Sequence, residues 1–522
     1  MLRRLPSLAD PWVLCLIASL AVACELRVLA LTQPLSDLDA TLLPDDAYIS
    51  LDVARSIGLG LGPRSAGRLT NGVQPLYVLL MAPVYALLGD ASLRSLPVQD
   101  RGVRSALLLL VLTDLASLCL LVRMLARRWG RSAGVLIAAA CWASSPLVVK
   151  TALNGLETSL ACLASLALLS WHLERGACAP RAPSVAAAWL LGALAGVATL
   201  ARIDVSIAAG WIALLALWRH PRAWLRLGAC SALGFGLIYA PWVGYSLHHT
   251  GHWYPISGEA TRLQSFPAQL DARFLSHSAR VALHAFWRGS QFQVAAAALL
   301  LMAVIAKRKA RALWGDALAF APVLLFACSL FVAYAFFQGG WWYFERYLFP
   351  AHLVPILLLA ASVHVLAAEV KGSRSVLLGS LTLGTLLLGA ASLDAWRDVF
   401  HHQPRDQGYR AMALWVRDHL PAKTVLGAGQ TGALGYFAAD HTVVNLDGVV
   451  NEDALRAVRA HRLLEYVRDA QVELVIGWHG SFTALSALSG PSAGVRLRLL
   501  GQIPGFRTRR EAWLVYKVER SL

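Results

Sequence analysis

"LLPDDAYISLDVARSIGLGLG", Leu42 to Gly62, sets Asp45, Asp46 and Asp52 directly after a hydrophobic segment. Carboxylates are costly beside lipid, so their presence raises two questions: what kind of chain carries them, and on which side of a membrane they lie. After Pro44, either Asp45 or Asp46 is placed to cap a helix, where a carboxylate meets unpaired N–H groups and the positive end of the helix dipole. The spacing predicts a helix over 46–57. Ile49, Val53 and Ile57 then form an apolar stripe, Asp45, Tyr48, Asp52 and Arg55 gather on another face, and "GLGLG" ends the helix. Such an amphipathic helix is expected to lie on the membrane surface. Capping takes one aspartate, which leaves the second free for chemistry.

The totals answer the first question. The chain has 522 residues, 57% apolar and 15% charged, and a mean hydropathy of +0.55. Ordinary soluble domains are about a quarter charged. Apolar runs near 11–31, 72–89, 104–126, 133–149, 156–172, 184–200, 203–218, 226–246, 291–306, 315–337, 346–367 and 374–393 mark a polytopic helical membrane protein. The net charge of +16 sits mostly in short loops between these runs. It therefore serves topology and anionic lipid, and nucleic acid is excluded as a partner. The start, "MLRRLPSLADPWVLCLIASLAVAC", has the form of a signal peptide with a site near Ala23; with so many spans downstream, an uncleaved signal-anchor is expected. Cysteines run from Cys15 to Cys328, the last third has none, and no CxxC pair or metal-type spacing occurs.

Arginines answer the second question. The basic loops are Arg3/Arg4, "RMLARRWGR" (Arg123–Arg131), Arg175/Arg181, "RHPRAWLR" (Arg219–Arg226), "KRKAR" (Lys307–Arg311) and Lys371/Arg374. All fall on one side only if 72–89, with its two prolines, does not cross. About eleven crossings follow, with the N-terminus inside and the C-terminus outside; 72–89 becomes a re-entrant or interfacial helix. The outer loop 33–103 with Asp45 and Asp46, the outer loop 247–290, the "GGWWYFERY" segment and the tail then share the outer face. Residues 1–393 form the membrane domain. Residues 394–522 form a small extracytoplasmic α/β domain, because strand-like runs ("KTVLGAG", "HTVVNLDG", "VELVIGW", "EAWLVYKV") alternate with helical ones ("GYRAMALWVRDHLP", "NEDALRAVRAHRLLEYVRDA").

"DDAYISLDVARSIGLGLG…LTNGVQPLYVLL" resembles the first outer loop of bacterial GT-C glycosyltransferases, closest to the branch of mycobacterial-type terminal arabinofuranosyltransferases. Asp45, Asp46, Ala47, Ile49, Ala54, Arg55, Thr70, Asn71, Pro75 and Leu76 match; Leu51-Asp52, the inserted Gly72-Val73-Gln74 and Tyr77 depart from the pattern. "TALNGLETSL", "TLARIDVSI", "GHWYPIS", "GGWWYFERYLFPAHLVP" and "GALGYFAADHTVVNLDGVVN" resemble later motifs of the same family in the same order, with Asn154, Ile203 and Asp204 as substitutions. The resemblance spans nearly the whole chain. It implies a GT-C-type helical bundle in the cytoplasmic (cell inner) membrane. The implied enzyme moves a hexose or pentose from a polyprenyl-phosphate donor to a hydroxyl of a glycan, lipid or protein acceptor at the outer face.

That chemistry needs a base for the acceptor's proton, positive charge for the departing phosphate and a wall against water. The resemblance places the essential acid in the doublet, so Asp45 or Asp46 is the catalytic candidate, with Asp45 preferred; an adjacent like charge raises one of the two pKa values. Arg346, behind the aromatics Trp341, Trp342, Tyr343 and Phe344, is the best donor-phosphate ligand, followed by Arg202 and Lys150; Arg202 has Asp204 as an alternative partner. Interfacial anchoring accounts for some of those aromatics. Tyr48, Asp52, Arg55, Asn71, Asn154, Glu157, Trp341 and Trp342 complete a candidate substrate-binding set, Glu157 also as a helix-start acid. The cofactor is unidentified, a divalent metal being the candidate. His248, His249 and His252 cluster without an accompanying carboxylate or Cys at fixed distance and read as interfacial. The glycines of "GAGQTGALG" lack the acidic partner of a dinucleotide site and read as turns.

A transporter or flippase of lipid-linked sugars is the rival class. Asp114, inside the 104–126 run, favours it, since an ionisable residue at that depth is a functional candidate by default. The absence of two matching broken segments opposes it.

Overall fold

The computed structural model describes residues 10–88, 95–266, 272–308, 310–368, 374–390, 392–400, 408–478, 480, 494–507 and 512–520. Arg3, Arg4, Lys309 and Lys371 of the topology argument lie outside them. The apolar runs become helices in the expected order. After α1 (Pro11–Leu31), capped by Asp10, come α2 (Leu35–Thr41), α3 (Asp45–Gly58), a short β1–β2 hairpin (Arg64–Ser65, Arg68–Leu69) and α4 (Pro75–Leu88). Then follow α5 (Leu96–Trp129), α6 (Ala133–Ser144), α7 (Pro146–Ala152), α8 (Thr158–Arg175), α9 (Val185–Ala201) and α10 (Val205–Arg219). The helical part ends with α11 (Trp224–Thr250), α12 (Ile256–Ser265), α13 (Ala272–Ala306), α14 (Ala310–Ala333), the single turn α15 (Phe344–Tyr347), α16 (Leu353–Ala367), α17 (Arg374–Ala390) and α18 (Leu393–Phe400).

Among the described residues six helices are long and apolar enough to cross a membrane, or seven if α6 and α7, bent by 58° at Ser145-Pro146, count as one. A bilayer core needs about 20 helical residues. The remaining apolar runs of the eleven-span expectation form the shorter helices α8, α9, α10 and α17. The 72–89 run gives α4, 14 residues with Pro83 inside.

The tail forms α19 (Tyr409–His419), β3 (Val425–Ala428), α20 (Gly432–Phe437), β4 (Thr442–Asn445), α21 (Glu452–Arg459), α22 (Leu463–Asp469), β5 (Leu474–Trp478), β6 (Val495–Arg507) and β7 (Ala512–Arg520). Its sheet runs β4-β3-β5-β7-β6. β3 is parallel to β4 and β5, and β7 is antiparallel to β5 and β6. Four strands are those expected from the sequence. β6 was not, because Gly501, Pro504 and Gly505 interrupt its "VRLRLL" alternation. The single helix expected across 451–470 breaks in two at His461, where φ is +53°.

The helix of the opening stretch forms, but not on a membrane surface. Every residue of α3 except Asp46, Ile57 and Gly58 is buried. Leu51 and Ala54 give it a second apolar face beside Ile49 and Val53, and one core continues from Ala30 and Val53 through Tyr77 and Val103 into Leu434, Tyr436 and Trp513 of the tail. α3 is thus an internal beam between the membrane part and the C-terminal domain. Gly432 makes the close approach possible: a Cβ there would collide with the Asp45 carbonyl oxygen.

Candidate functional site at the start of the buried helix

α3 begins at Pro44, an extended residue that donates no side-chain cap, and puts both aspartates in its first turn. The two separate at once. The Asp45 carboxylate is buried and accepts from the backbone N–H of Gly432 (2.7 Å) and of Ala433 (2.9 Å), the first residues of α20. It therefore caps a helix of the tail, not its own. Burial, helped by the charges of Asp46 and Asp447, lifts its pKa to about 7 against these two bonds.

Asp46 faces the other way. Its partly exposed carboxylate is 3.5 Å from Nη1 of Arg346. α15 carries that arginine between two short helical turns, and its guanidinium lies 4.5 Å from the ring centre of Tyr343 and 4.9 Å from that of Tyr347. Nη2 donates to the Tyr347 hydroxyl at 3.4 Å. Nε and Nη1 are buried without a hydrogen-bond partner among the described residues. Orphaned guanidinium nitrogens are costly, so this geometry fits a site that receives anionic oxygens. Burial alone would lower the Arg346 pKa, but Tyr347, Glu157 and Asp46 hold it above its ordinary value.

The other cations are already paired. Arg202 forms an ion pair with Asp204, as the sequence allowed, and its Nη1 donates to the main-chain oxygen of Arg346 at 3.1 Å. Tyr334 donates to Asp204 at 2.6 Å and stacks on Tyr347 at 4.4 Å. Arg202 thus holds the backbone beneath Arg346. Lys150 pairs with Glu345 at 2.7 Å, one residue from Arg346.

Much of the expected substrate-binding set points inward. The Tyr48 hydroxyl donates to Asp39 at 2.7 Å. Asp52 pairs with Arg55 at 2.6 Å and accepts from Ala66 N at 2.7 Å. Arg55 also donates to the carbonyls of Tyr436 (2.9 Å) and Gly435 (3.0 Å), which fastens the tail. Asn71 clamps the 247–290 loop, donating to the Tyr254 carbonyl at 2.9 Å and accepting from Ile256 N at 3.2 Å. Asn154 shapes the turn before α8 by accepting from Leu156 N at 2.9 Å. Glu157 occupies the N-cap position of α8 without a side-chain capping bond and is buried. Its charge acts on Arg346 and Arg202. Trp341 and Trp342 are exposed beside the site.

Three elements were not anticipated. Asp447, in the loop after β4, is raised to about 7 by burial and by the Asp46 charge, against bonds from Val449 and Asn445. Asp39 accepts from Arg410 N at 3.1 and 2.9 Å, and Arg410 pairs with Asp100 at 2.8 Å, tying α19 to α2 and α5. Arg27 explains Asp114: Nε bonds its carboxylate at 2.7 Å, Trp142 Nε1 donates to the other oxygen at 3.1 Å, and Arg27 Nη1 reaches the Ala143 carbonyl at 2.9 Å. The carboxylate that favoured a transporter is a satisfied structural partner. Among the described residues no group of three or more His, Cys, Asp or Glu has metal-holding geometry. Among the described residues no donor set for a metal is assembled, and no step is assigned to one. His252 pairs with Glu452 at 3.2 Å, another clasp on the tail.

With this geometry established, solved structures define the class of fold. ArnT from Cupriavidus metallidurans bound to undecaprenyl phosphate matches with a TM-score of 0.58 at 14% identity, over 97% of this chain and 98% of that one. Its apo form gives 0.57 at 15%, over 98% of both chains. The apo oligosaccharyltransferase of Archaeoglobus fulgidus gives 0.51 at 10%, over 98% of this chain and 74% of the other. The chain therefore has the GT-C fold, a mostly helical, multi-pass membrane architecture with a small strand-containing C-terminal domain. A domain of unknown function (DUF8728) matches residues 396–516. Among curated protein sequences none matches.

Proposed function

We propose that this protein is a membrane glycosyltransferase that takes a sugar from a polyprenyl-phosphate donor and passes it to an acceptor hydroxyl at the outer face of the cytoplasmic membrane. Support comes from the GT-C fold shared with an ArnT that binds undecaprenyl phosphate, and above all from Arg346. It is a half-buried cation whose Nε and Nη1 have no hydrogen-bond partner among the described residues, Nη1 lying 3.5 Å from the partly exposed Asp46 carboxylate.

In this reaction Asp46 takes the acceptor's proton as the acceptor oxygen bonds the anomeric carbon. The bond from that carbon to the donor phosphate breaks, and polyprenyl phosphate leaves with its electron pair. The Arg346 guanidinium, whose Nε and Nη1 have no hydrogen-bond partner among the described residues, receives the phosphate oxygens. Tyr343 and Tyr347 shield this charge from water, which strengthens it. Asp45 is assigned to holding α20 and Asp46 to the chemistry, which reverses the preference of the sequence alone. Residues 1–393 are assigned to the membrane part and 394–522 to the outer face.

The test is direct. Purified protein receives labelled undecaprenyl-phosphate-linked sugars, with an arabinofuranosyl donor first because of the motif resemblance, and hexosyl donors beside it. Formation of a glycosylated acceptor is expected, and is lost in Asp46→Asn. Movement of label between liposome leaflets with no new glycosidic bond would instead establish a flippase.

A further inference from the structure

The loop between β4 and α21 reaches the same place from the opposite side. Gly432 touches the first turn of α3, and Gly429, three residues earlier, would carry a Cβ 3.9 Å from that of Asp447. The segment from Gly429 to Gly432 thus runs from Asp447 to the first turn of α3. Charge agrees with position: Asp46 acts on Asp447, and Asp447 acts on Asp45.

The loop is built to hold this side chain still. Asn445 accepts from Gly448 N at 3.0 Å, and Asn451 donates to the Asn445 carbonyl at 2.7 Å. Val449 N donates to Asp447 Oδ1 at 3.0 Å, and Gln264 donates to the Asp447 carbonyl at 2.9 Å. Gly72 lets Val449 sit directly on the first outer loop, where a Cβ would collide with the Val449 carbonyl oxygen. A turn needs only the bond to Val449, which Asn or Ser supplies as well. A half-buried carboxylate beside two others is a poor choice for a turn alone, because each charge opposes its ionisation.

We propose that Asp447, carried by the C-terminal domain, completes the acceptor side of the site by accepting hydrogen bonds from hydroxyls of the incoming acceptor, so that the reacting hydroxyl is held against Asp46. This rests on the glycosyl-transfer reading above. The ligand chemistry it suits is a neutral polyol such as a sugar, whose hydroxyls satisfy a carboxylate without adding negative charge to a site that already holds Asp46 and Asp447. Asp447 is a positioning residue. It makes the site composite, with the base on the membrane part and the acceptor clamp on the tail.

The experiment measures transfer from labelled undecaprenyl-phosphate sugars to a panel of octyl glycosides by full-length protein. A hydrogen bond to a charged group is worth about ten- to a hundredfold in binding, so Asp447→Asn should raise the acceptor KM by about that factor, with a much smaller change in kcat and none in donor KM. Asp447→Glu should recover part of the loss. Asp447→Ser keeps a turn bond to Val449 and guards against a folding defect; it too should raise the acceptor KM. An unchanged acceptor KM, or parallel losses in kcat and donor KM, overturns the assignment of Asp447 alone. Failure of the wild type to transfer any sugar overturns the glycosyl-transfer reading, and this inference with it.

Discussion

Replacing Asp45 by Asn puts an amide NH2 where two backbone N–H groups of α20 now donate. At least one of those donors loses its partner, at a cost of about 1–3 kcal/mol. Asp45→Asn is therefore expected to lower the melting temperature of the detergent-purified protein, and to reduce activity only as far as the tail loosens. Asp46→Asn should do the reverse: melting unchanged, kcat down by about 10²–10⁴-fold. Measuring both quantities on both variants separates scaffold from chemistry at adjacent positions. Arg346→Lys keeps the charge but not the fork that binds two oxygens, so the donor KM should rise while the fold is retained. At this scale residue type draws the eye to an acid doublet and to an arginine behind aromatics, and the structure sets Asp46 3.5 Å from Arg346. It was silent on Asp447, because "NLDG" is an ordinary turn until the fold brings it to α3. It misjudged Tyr48, Asp52 and Arg55 because their shared helical face meets protein, not substrate.

Between elements, the buried pair of Arg27 on α1 and Asp114 on α5 is the clearest case of two helices joined by charge. Removing one member leaves the other unpaired in an apolar setting, at about 3–5 kcal/mol, whereas replacing both by apolar residues is often neutral. Arg27→Leu and Asp114→Leu should each lower thermal stability, and the double variant should recover most of it with activity retained. Loss of activity in a stable double variant would return Asp114 to a functional role. The pair was legible in principle, since an arginine in an apolar first helix whose one other charge is Glu25 needs a partner at its own depth. The run of apolar residues around Asp114 draws attention to that residue alone. A second test concerns the contact of α3 with α20. Gly432→Ala has no room for its methyl group, so the tail should become more sensitive to limited proteolysis while the membrane helices keep their content.

For the whole molecule, acids at the junction give stability a pH dependence. Burial raises Asp39 to about 6 and Asp45 to about 7, against about 3.9 in an unfolded chain. A carboxyl whose folded pKa is raised contributes stability that is fully present below about pH 4 and is lost as pH rises through 6 to 7. The melting temperature should therefore fall between about pH 4 and pH 7, and less steeply in Asp45→Asn. The architecture was readable at this scale because about 20-residue apolar runs and short alternating strands have few other outcomes. The docking of the tail was not: Asp39 with Arg410, and Arg55 with Gly435, are contacts between residues more than three hundred positions apart, which no local period records.

Because Asp45 and Asp46 are consecutive, the strap for the tail and the proposed base cannot be inherited separately. A chimera that exchanges tails between relatives would have to bring "TGALGYF" (431–437) and "DDAYISLDVAR" (45–55) from the same parent. Cutting between the two modules at the proposed boundary near 394 would split this matched pair and misplace the acid that sits beside it.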